Sequence, residues 1–489
     1  MSSSEFMNKL TLLALIFSSL ISCSSSKELV SLKRAALDKP NVIIFYLDDS
    51  GYGDFAHNGN PTIATPTISK LAHEGVNFTQ FYTSSPACSA SRYSLLTGRV
   101  PGRSGLDNWV IGPEHAKYLH PKELTIAEGL KQQGYRTAMF GKWHLGSPNR
   151  SNGMTTDSLP LAHGFDQWFG TNVSHDYANA KLLESVNKGQ QVISGYRELA
   201  SDLPSNIKMS DKLTQLYTDR AVNFIKENKT APFFAYIAFN QPHLGLHVSP
   251  RFKGKSRRGM LGDVMSEIDN ALARVLTVID DAGIKDNTLI IFSSDNGPWL
   301  KFKQKKHRYY GDVRLDVGYA MPFRDGKGSN WEGGHRVPGI FYWPGVIAAG
   351  KAEQSPISTL DILPTVFSLT GVPQPKDRSI DGRNISGYLL KLSDKDVAPF
   401  EFVYSGRKNQ VTALRSGPWK LVTDTYSQLD DNYGYQASKK TPLLFQVEQD
   451  LSESIDRAEE QSKLIEKLSK KLAKYQLDIE EEGSFWHPK

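Results

Sequence analysis

The chain has 489 residues, 39% hydrophobic and 22% charged, with a formal charge of +6. That suits a globular chain with one large domain and a smaller companion. The modest positive charge allows attraction to anionic substrates, and with no long Lys/Arg block or RNA-binding signature nucleic acid is not an expected partner.

The first expected element is a targeting segment. Lys9 precedes the apolar run 10–20, which is too short to cross a bilayer. Leu20-Ile21-Ser22-Cys23 resembles a bacterial lipobox, so residues 1–26 are expected to hold a signal peptide, a lipidated Cys23 and a short serine tether. The expected address is the bacterial cell envelope, periplasm or outer membrane, with membrane contact only through the lipid. An ordinary cleaved secretory signal is the alternative. The other cysteine is Cys88; each sits in a motif of its own, so no disulfide is expected.

Downstream, short β-branched runs alternate with helical periodicity, the pattern of βαβ units around a mostly parallel sheet. Strands are expected over 42–47, 135–140, 233–239 and 288–292, and helices over 65–73, 125–133, 216–228, 262–281 and 360–369. Past residue 376 come turn-rich residues, short strands over 402–405, 411–415 and 419–422, and a charged helical stretch over 452–478. The fold class is therefore α/β: a large, mostly parallel but mixed sheet sandwiched by helices over 38–375, then a small α+β subdomain over 376–489.

The residues at the carboxyl end of each long strand carry the chemistry. The four strands run into Asp48-Asp49, Gly141-Lys142-Trp143-His144, Asn240-Gln241-Pro242-His243 and Asp295-Asn296-Gly297. The carboxyl edge of such a sheet is where ligands bind. One such run reads equally as a turn, but four at one edge favour a shared site. Asp48, Asp49, Asp295 and Asn296 offer only oxygen, which suits Ca²⁺ or Mg²⁺ over zinc. Arg92, Lys142, His144, His243 and Lys327 offer positive charge and protons for a departing oxyanion. Singly, each lysine reads equally well as a surface residue and each histidine as a structural one.

Cys88-Ser89-Ala90-Ser91-Arg92 resembles the sulfatase signature, a cysteine followed two positions later by Pro or Ala and four later by Arg. The likeness continues in family order through 41–54 (NVIIFYLDDSGYGD), 141–146, Pro232-Phe233-Phe234 with Gln241-Pro242-His243, 294–297, 326–334, 361–365 and 415–420. On these motifs the chain resembles the formylglycine-dependent, type I sulfatases of the alkaline-phosphatase-like superfamily. The resemblance implies a sulfuric ester hydrolase in which Cys88 is oxidised to formylglycine. It implies one Ca²⁺, or Mg²⁺, on Asp48, Asp49, Asp295, Asn296 and the modified residue 88. It further implies that a hydroxyl of the hydrated aldehyde attacks sulfur with Asp295 as base. His243, with Lys327 on the sulfate, would protonate the leaving oxygen. His144 would deprotonate the second hydroxyl, and Arg92 and Lys142 would hold the diol.

Some positions depart from the family pattern. Ala90 stands where Pro is commoner, so either a formylglycine-generating enzyme or an anaerobic sulfatase-maturating enzyme is the expected partner. The stretch 298–324 is long and basic, with Lys301, Lys303, Lys305, Lys306, His307 and Arg308. It reads as a solvated loop or as a lid over a polysaccharide, with Trp299, Tyr309 and Tyr310 for sugar stacking. His175 and Asp176 (beside Tyr177), together with Lys301 and Arg308, are weaker candidates for substrate contact. The expected substrate is a sulfated carbohydrate, either a polysaccharide or its oligosaccharides. The alternatives are a phosphoester or phosphonate-ester hydrolase of the same superfamily and a non-catalytic, glycan-binding surface lipoprotein.

Overall fold

The computed structural model describes residues 39–488 except 107–109, 113–114, 147, 150–152, 155, 189–190, 301–315, 391–398, 407–409 and 428–441. Strand β1 (Asn41–Leu47) is buried along its whole length. Val42, Ile44 and Tyr46 enter one core while Ile43, Phe45 and Leu47 enter another. That is the period-two alternation of a strand covered on both faces.

Further strands follow in chain order: β2 (Val76–Phe78), β3 (Arg136–Gly141), β4 (Gln167–Thr171), β5 (Leu182–Lys188), β6 (Gln191–Ala200), β7 (Phe233–Ala238), β8 (Thr288–Ser294), β9 (Gly339–Tyr342) and β10 (Lys351–Glu353). They join β1 in a ten-stranded sheet of order β10-β2-β9-β8-β1-β7-β3-β4-β5-β6. The centre, β8-β1-β7-β3-β4, is parallel; β9, β5 and β6 bring in antiparallel neighbours.

Helices α1 (Pro66–Glu74), α2 (Cys88–Thr97), α3 (Ile126–Gln132), α4 (Leu213–Asn228), α5 (Met260–Asp281) and α6 (Ile362–Thr370) flank this sheet. Helices α1, α4 and α5 bury Ile68, Tyr217 and Ile268 on the Ile43 face. On the Ile44 face, α2, α3 and α6 bury Leu95, Leu130 and Phe367. Helices and sheet strands thus alternate along the chain as expected. The expected central strands and helices are all present, with ends displaced by a few residues. Strands β2, β4 to β6, β9 and β10 were not anticipated: β2, β4, β9 and β10 are five residues or fewer, and β5 and β6 carry polar residues along their length.

A second, four-stranded antiparallel sheet follows: β11 (Glu401–Ser405), β12 (Val411–Ser416), β13 (Trp419–Val422) and β14 (Leu443–Gln446). Helix α7 (Ser462–Glu482) packs on it through Leu468, Leu472 and Ile479. This helix starts ten residues later than its charge pattern suggests. The Asp450 carboxylate accepts bonds from Ser452, Ser454 and the Ile455 amide, a local turn that competes with helix. No helix among the described residues is long and apolar enough to cross a membrane.

Register sets the level of the site. Leu47 pairs with Ser294, Tyr46 with Ala238, and Ala238 with Gly141. Asp48, Asp295 and Lys142, each the next residue in its chain, therefore leave the sheet side by side at its carboxyl edge.

Candidate active site

Cys88 is the first residue of α2, preceded by Ala87 in extended conformation. Its Sγ lies 3.3 Å from Asp48 Oδ1 and 3.8 Å from Asp49 Oδ1. Arg92 is four residues on, so it shares the helix face with Cys88. Its Nε and Nη2 donate to Asp295 Oδ2 at 3.0 and 2.8 Å, and its Nη1 donates to the Lys142 carbonyl at 2.9 Å. The four-residue spacing of cysteine and arginine thus ties α2 to two strand ends at once. Lys142 Nζ donates to Asp48 Oδ2 at 2.5 Å, and Lys327 Nζ to the Asp49 carboxylate at 2.9 Å. Asn296 Nδ2 donates to Asp49 Oδ1 at 2.7 Å.

Two glycines allow this convergence. Gly141 has φ +120°, and a Cβ there would lie 1.8 Å from the Ala238 carbonyl oxygen. A Cβ on Gly297 would meet the Gly333 carbonyl oxygen at 1.8 Å. Asp49 and His144 adopt positive φ of 63° and 55° without being glycine. Such left-handed residues cost about 1–3 kcal/mol each and concentrate at functional sites.

Asp48, Asp49, Arg92, Lys142, Asp295 and Asn296 are all buried. Three carboxylates face three cations, so the cluster is close to neutral. Burial nevertheless raises the pKa of Asp49 and of Asp295, the second also through Asp48. Burial pushes the Cys88 thiol well up, so the encoded sulfur is protonated and a poor nucleophile. Burial, with Lys142 for His144 and Lys327 for His243, drives both imidazoles well down and keeps them neutral. Neither nitrogen of His144 has a hydrogen-bond partner among the described residues. His243 holds its Nδ1 on the Leu244 carbonyl and places Nε2 3.5 Å from Asp49 Oδ2.

The donor set fits a divalent cation. One ligand atom each from Asp48, Asp49, Cys88 and His243 lies within 4.8 Å of the others. Beside them Asn296 Oδ1 is buried with no partner among the described residues, an acceptor awaiting a positive charge. Asp295 stands just outside the tightest group, with Oδ1 accepting the Asp49 amide at 3.0 Å and Oδ2 taken by Arg92.

The weaker candidates divide. His175 is buried, its ring 5.7 Å from that of His243, and Asp176 follows it. Burial lowers His175 to about 4. Cys23, Lys301, Arg308, Tyr309 and Tyr310 lie outside the described residues. Trp299 is not an exposed stacking platform: it is 5% exposed, 4.8 Å from Lys327 Nζ and 5.7 Å from the His243 ring. It walls the site through a cation–π contact.

Sequence reasoning missed the support behind Lys327. Glu332 accepts bonds from the Tyr82 and Tyr404 hydroxyls at 2.6 and 2.7 Å and pairs with Lys420 and Arg336. Lys420 also pairs with Glu453 at 2.7 Å, which ties the small sheet to the segment carrying Lys327. Glu332 stood within a recognised motif, but nothing local marks a glutamate that will be buried.

The chain is similar to known proteins over most of its length. The sulfatase family model matches residues 40–372. An arylsulfatase of Hemicentrotus pulcherrimus is 37% identical over 417 residues, covering 84% of this chain and 72% of its own. The N-acetylgalactosamine-6-sulfatase of Mus musculus is 35% identical over 414 residues, covering 81% and 74%. Among solved structures, the PsFucS1 sulfatase from Pseudoalteromonas sp. superposes with a TM-score of 0.77 at 27% identity, covering 92% of each chain. The shared fold, the matched span and the identities over most of both chains make this protein a member of the sulfatase family, the hydrolases of sulfuric esters.

Proposed function

We propose that this sulfatase removes sulfate from a sulfated carbohydrate, using a formylglycine made from Cys88 and a calcium ion. The observation that carries the reading is the place of Cys88. Its Sγ sits against Asp48 and Asp49, with Lys142 and Lys327 on those same carboxylates. The aldehyde, once hydrated, supplies a hydroxyl nucleophile with a second hydroxyl on the same carbon, which no encoded side chain offers. Calcium supplies charge stabilisation on a sulfate oxygen. Asp48, Asp49, Asp295 and Asn296 Oδ1 are the oxygens that would hold it.

The remaining work falls to the chain itself. Lys142 and Lys327 direct positive charge at the sulfate while the aspartates keep them in place. Arg92 locks Asp295 against the strand edge. His243 directs Nε2 into the site and hands a proton to the leaving oxygen, and the arriving anion favours the protonated ring. His144, neutral and with neither nitrogen engaged, is the proton acceptor.

A carbohydrate substrate is supported by the named specificity of the N-acetylgalactosamine-6-sulfatase relative and by the basic stretch 301–308. Cys23 in its lipobox-like run supports an exported, lipid-anchored enzyme. A formylglycine-generating or anaerobic sulfatase-maturating enzyme is the partner that would act on Cys88.

The test is mass spectrometry of the Cys88 peptide from protein made in a bacterial host that expresses a maturase, with sulfate release from defined sulfated oligosaccharides. An aldehyde at residue 88 together with release is expected. A fully thiol peptide in an active enzyme refutes the aldehyde. Turnover of aryl phosphate but of no sulfate ester moves the activity to phosphoesters.

A further inference from the structure

Next to the oxygen-rich cluster stands a second group of different chemistry. His175, Asp176 and His243 each bring one ligand atom within 4.8 Å of the other two. The tautomers are set by backbone carbonyls. His175 Nε2–H donates to the Gly245 carbonyl at 2.8 Å, which leaves Nδ1 as the lone-pair nitrogen. That Nδ1 is buried and has no hydrogen-bond partner among the described residues. His243 donates from Nδ1 to the adjacent Leu244 carbonyl, which leaves Nε2 as its lone-pair nitrogen. One short segment, Leu244-Gly245, thus orients both rings, as carbonyls do behind metal-bound histidines. His247 meets the His175 ring edge-to-face at 5.5 Å and is itself fixed by Asp211 at 2.9 Å, so His175 has a second ring packed against it.

We propose that His175, Asp176 and His243 form a second cation site, selective for a borderline transition metal such as Zn²⁺, that shares His243 with the oxygen-rich cluster. Two imidazoles and one carboxylate are a zinc-type donor set that a hard cation does not favour. Asp176, half-buried, supplies the charge between the rings. Because His243 belongs to both functions, a metal on Nε2 takes the lone pair that would carry the proton to the leaving group. Zn²⁺ then inhibits reversibly while calcium stays bound. This inhibition rests on the role proposed above for His243; the binding does not.

The experiment titrates Co²⁺ into the calcium-loaded, full-length enzyme and follows visible absorption, in parallel with inhibition of aryl sulfate turnover by Zn²⁺. One Co²⁺ per chain with an intense low-symmetry band is expected. His175→Gln and Asp176→Asn, each removing a direct ligand, should weaken Co²⁺ binding and Zn²⁺ inhibition by at least about 100-fold, beyond the ~10- to 100-fold lost when only an outer-shell partner is removed. Should His175→Gln fail to fold, Asp176→Asn at its half-buried position decides. No band, or a band with wild-type affinity in Asp176→Asn, overturns the proposal. A cobalt band in a protein that hydrolyses no sulfate ester leaves this site standing and sinks the proposed activity instead.

Discussion

At the residue scale, the proposed nucleophile heads helix α2, while the groups proposed to hold the cation and to move protons stand beyond strand ends. Cys88→Ser keeps a hydroxyl but not a second one on the same carbon. Turnover of aryl sulfate should fall at least about 1,000-fold while the melting temperature stays within a few degrees. Multiple turnover by that variant at a comparable rate would remove the aldehyde from the mechanism. His243→Ala tests proton delivery. Poor leaving groups such as sugars should lose about 10²–10⁴-fold in kcat, and activated aryl sulfates far less. Equal losses on both would take His243 out of that role. Cys88 was legible from its motif, and His243 from its motif and its place after an apolar strand. Trp299 was misjudged because an aromatic beside a basic run looks exposed, whereas here it covers Lys327 and His243.

At the element scale, the site depends on how closely strand ends approach. Gly141→Ala would drive a methyl group into the Ala238 carbonyl at a φ that disfavours side chains. It should destabilise by more than about 1 kcal/mol in denaturant titrations and lower kcat by shifting Lys142 and His144. The support behind Lys327 is equally exacting. Lys420 lies between Glu332 and Glu453, all three without solvent exposure. Lys420→Met leaves two buried carboxylates facing each other, and about 3–5 kcal/mol of stability should go with it, measured by urea unfolding. The central strands were readable from β-branched runs because burial on both faces leaves an apolar string. Strands β5 and β6 were not, since toward the sheet's edge polar and apolar residues mix and resemble loops, and β4 was too short to stand out. The start of α7 was misplaced because a carboxylate turn at Asp450 outcompetes helix where the charge pattern continues.

At the scale of the whole molecule, burial of titratable groups makes stability depend on pH. Burial holds His163, packed on Trp143, down to about 4, against about 6.5 for a free imidazole. As pH falls through 6.5 the unfolded chain takes up this proton first. The stability His163 contributes is therefore full above pH 6.5 and lost as pH drops toward 4. In His163→Phe the stability lost between about pH 7.5 and pH 5 should shrink by about 2 kcal/mol relative to wild type, read by denaturant unfolding at both values. An unchanged difference would show that His163 does not titrate on unfolding. The overall α/β architecture was legible because helices and strands alternate along the chain. The way the small sheet braces the large one was not, since it depends on partners more than 70 residues apart, such as Tyr404 and Glu332. One packing feature bears on how the enzyme comes into being. All ten residues of α2 are buried, and Cys88 at its head is only 1% exposed. A catalyst for the proposed oxidation of Cys88 would therefore have to reach this stretch before the fold closes over it. On that proposal, protein that folds before oxidation would keep its thiol until it unfolds again.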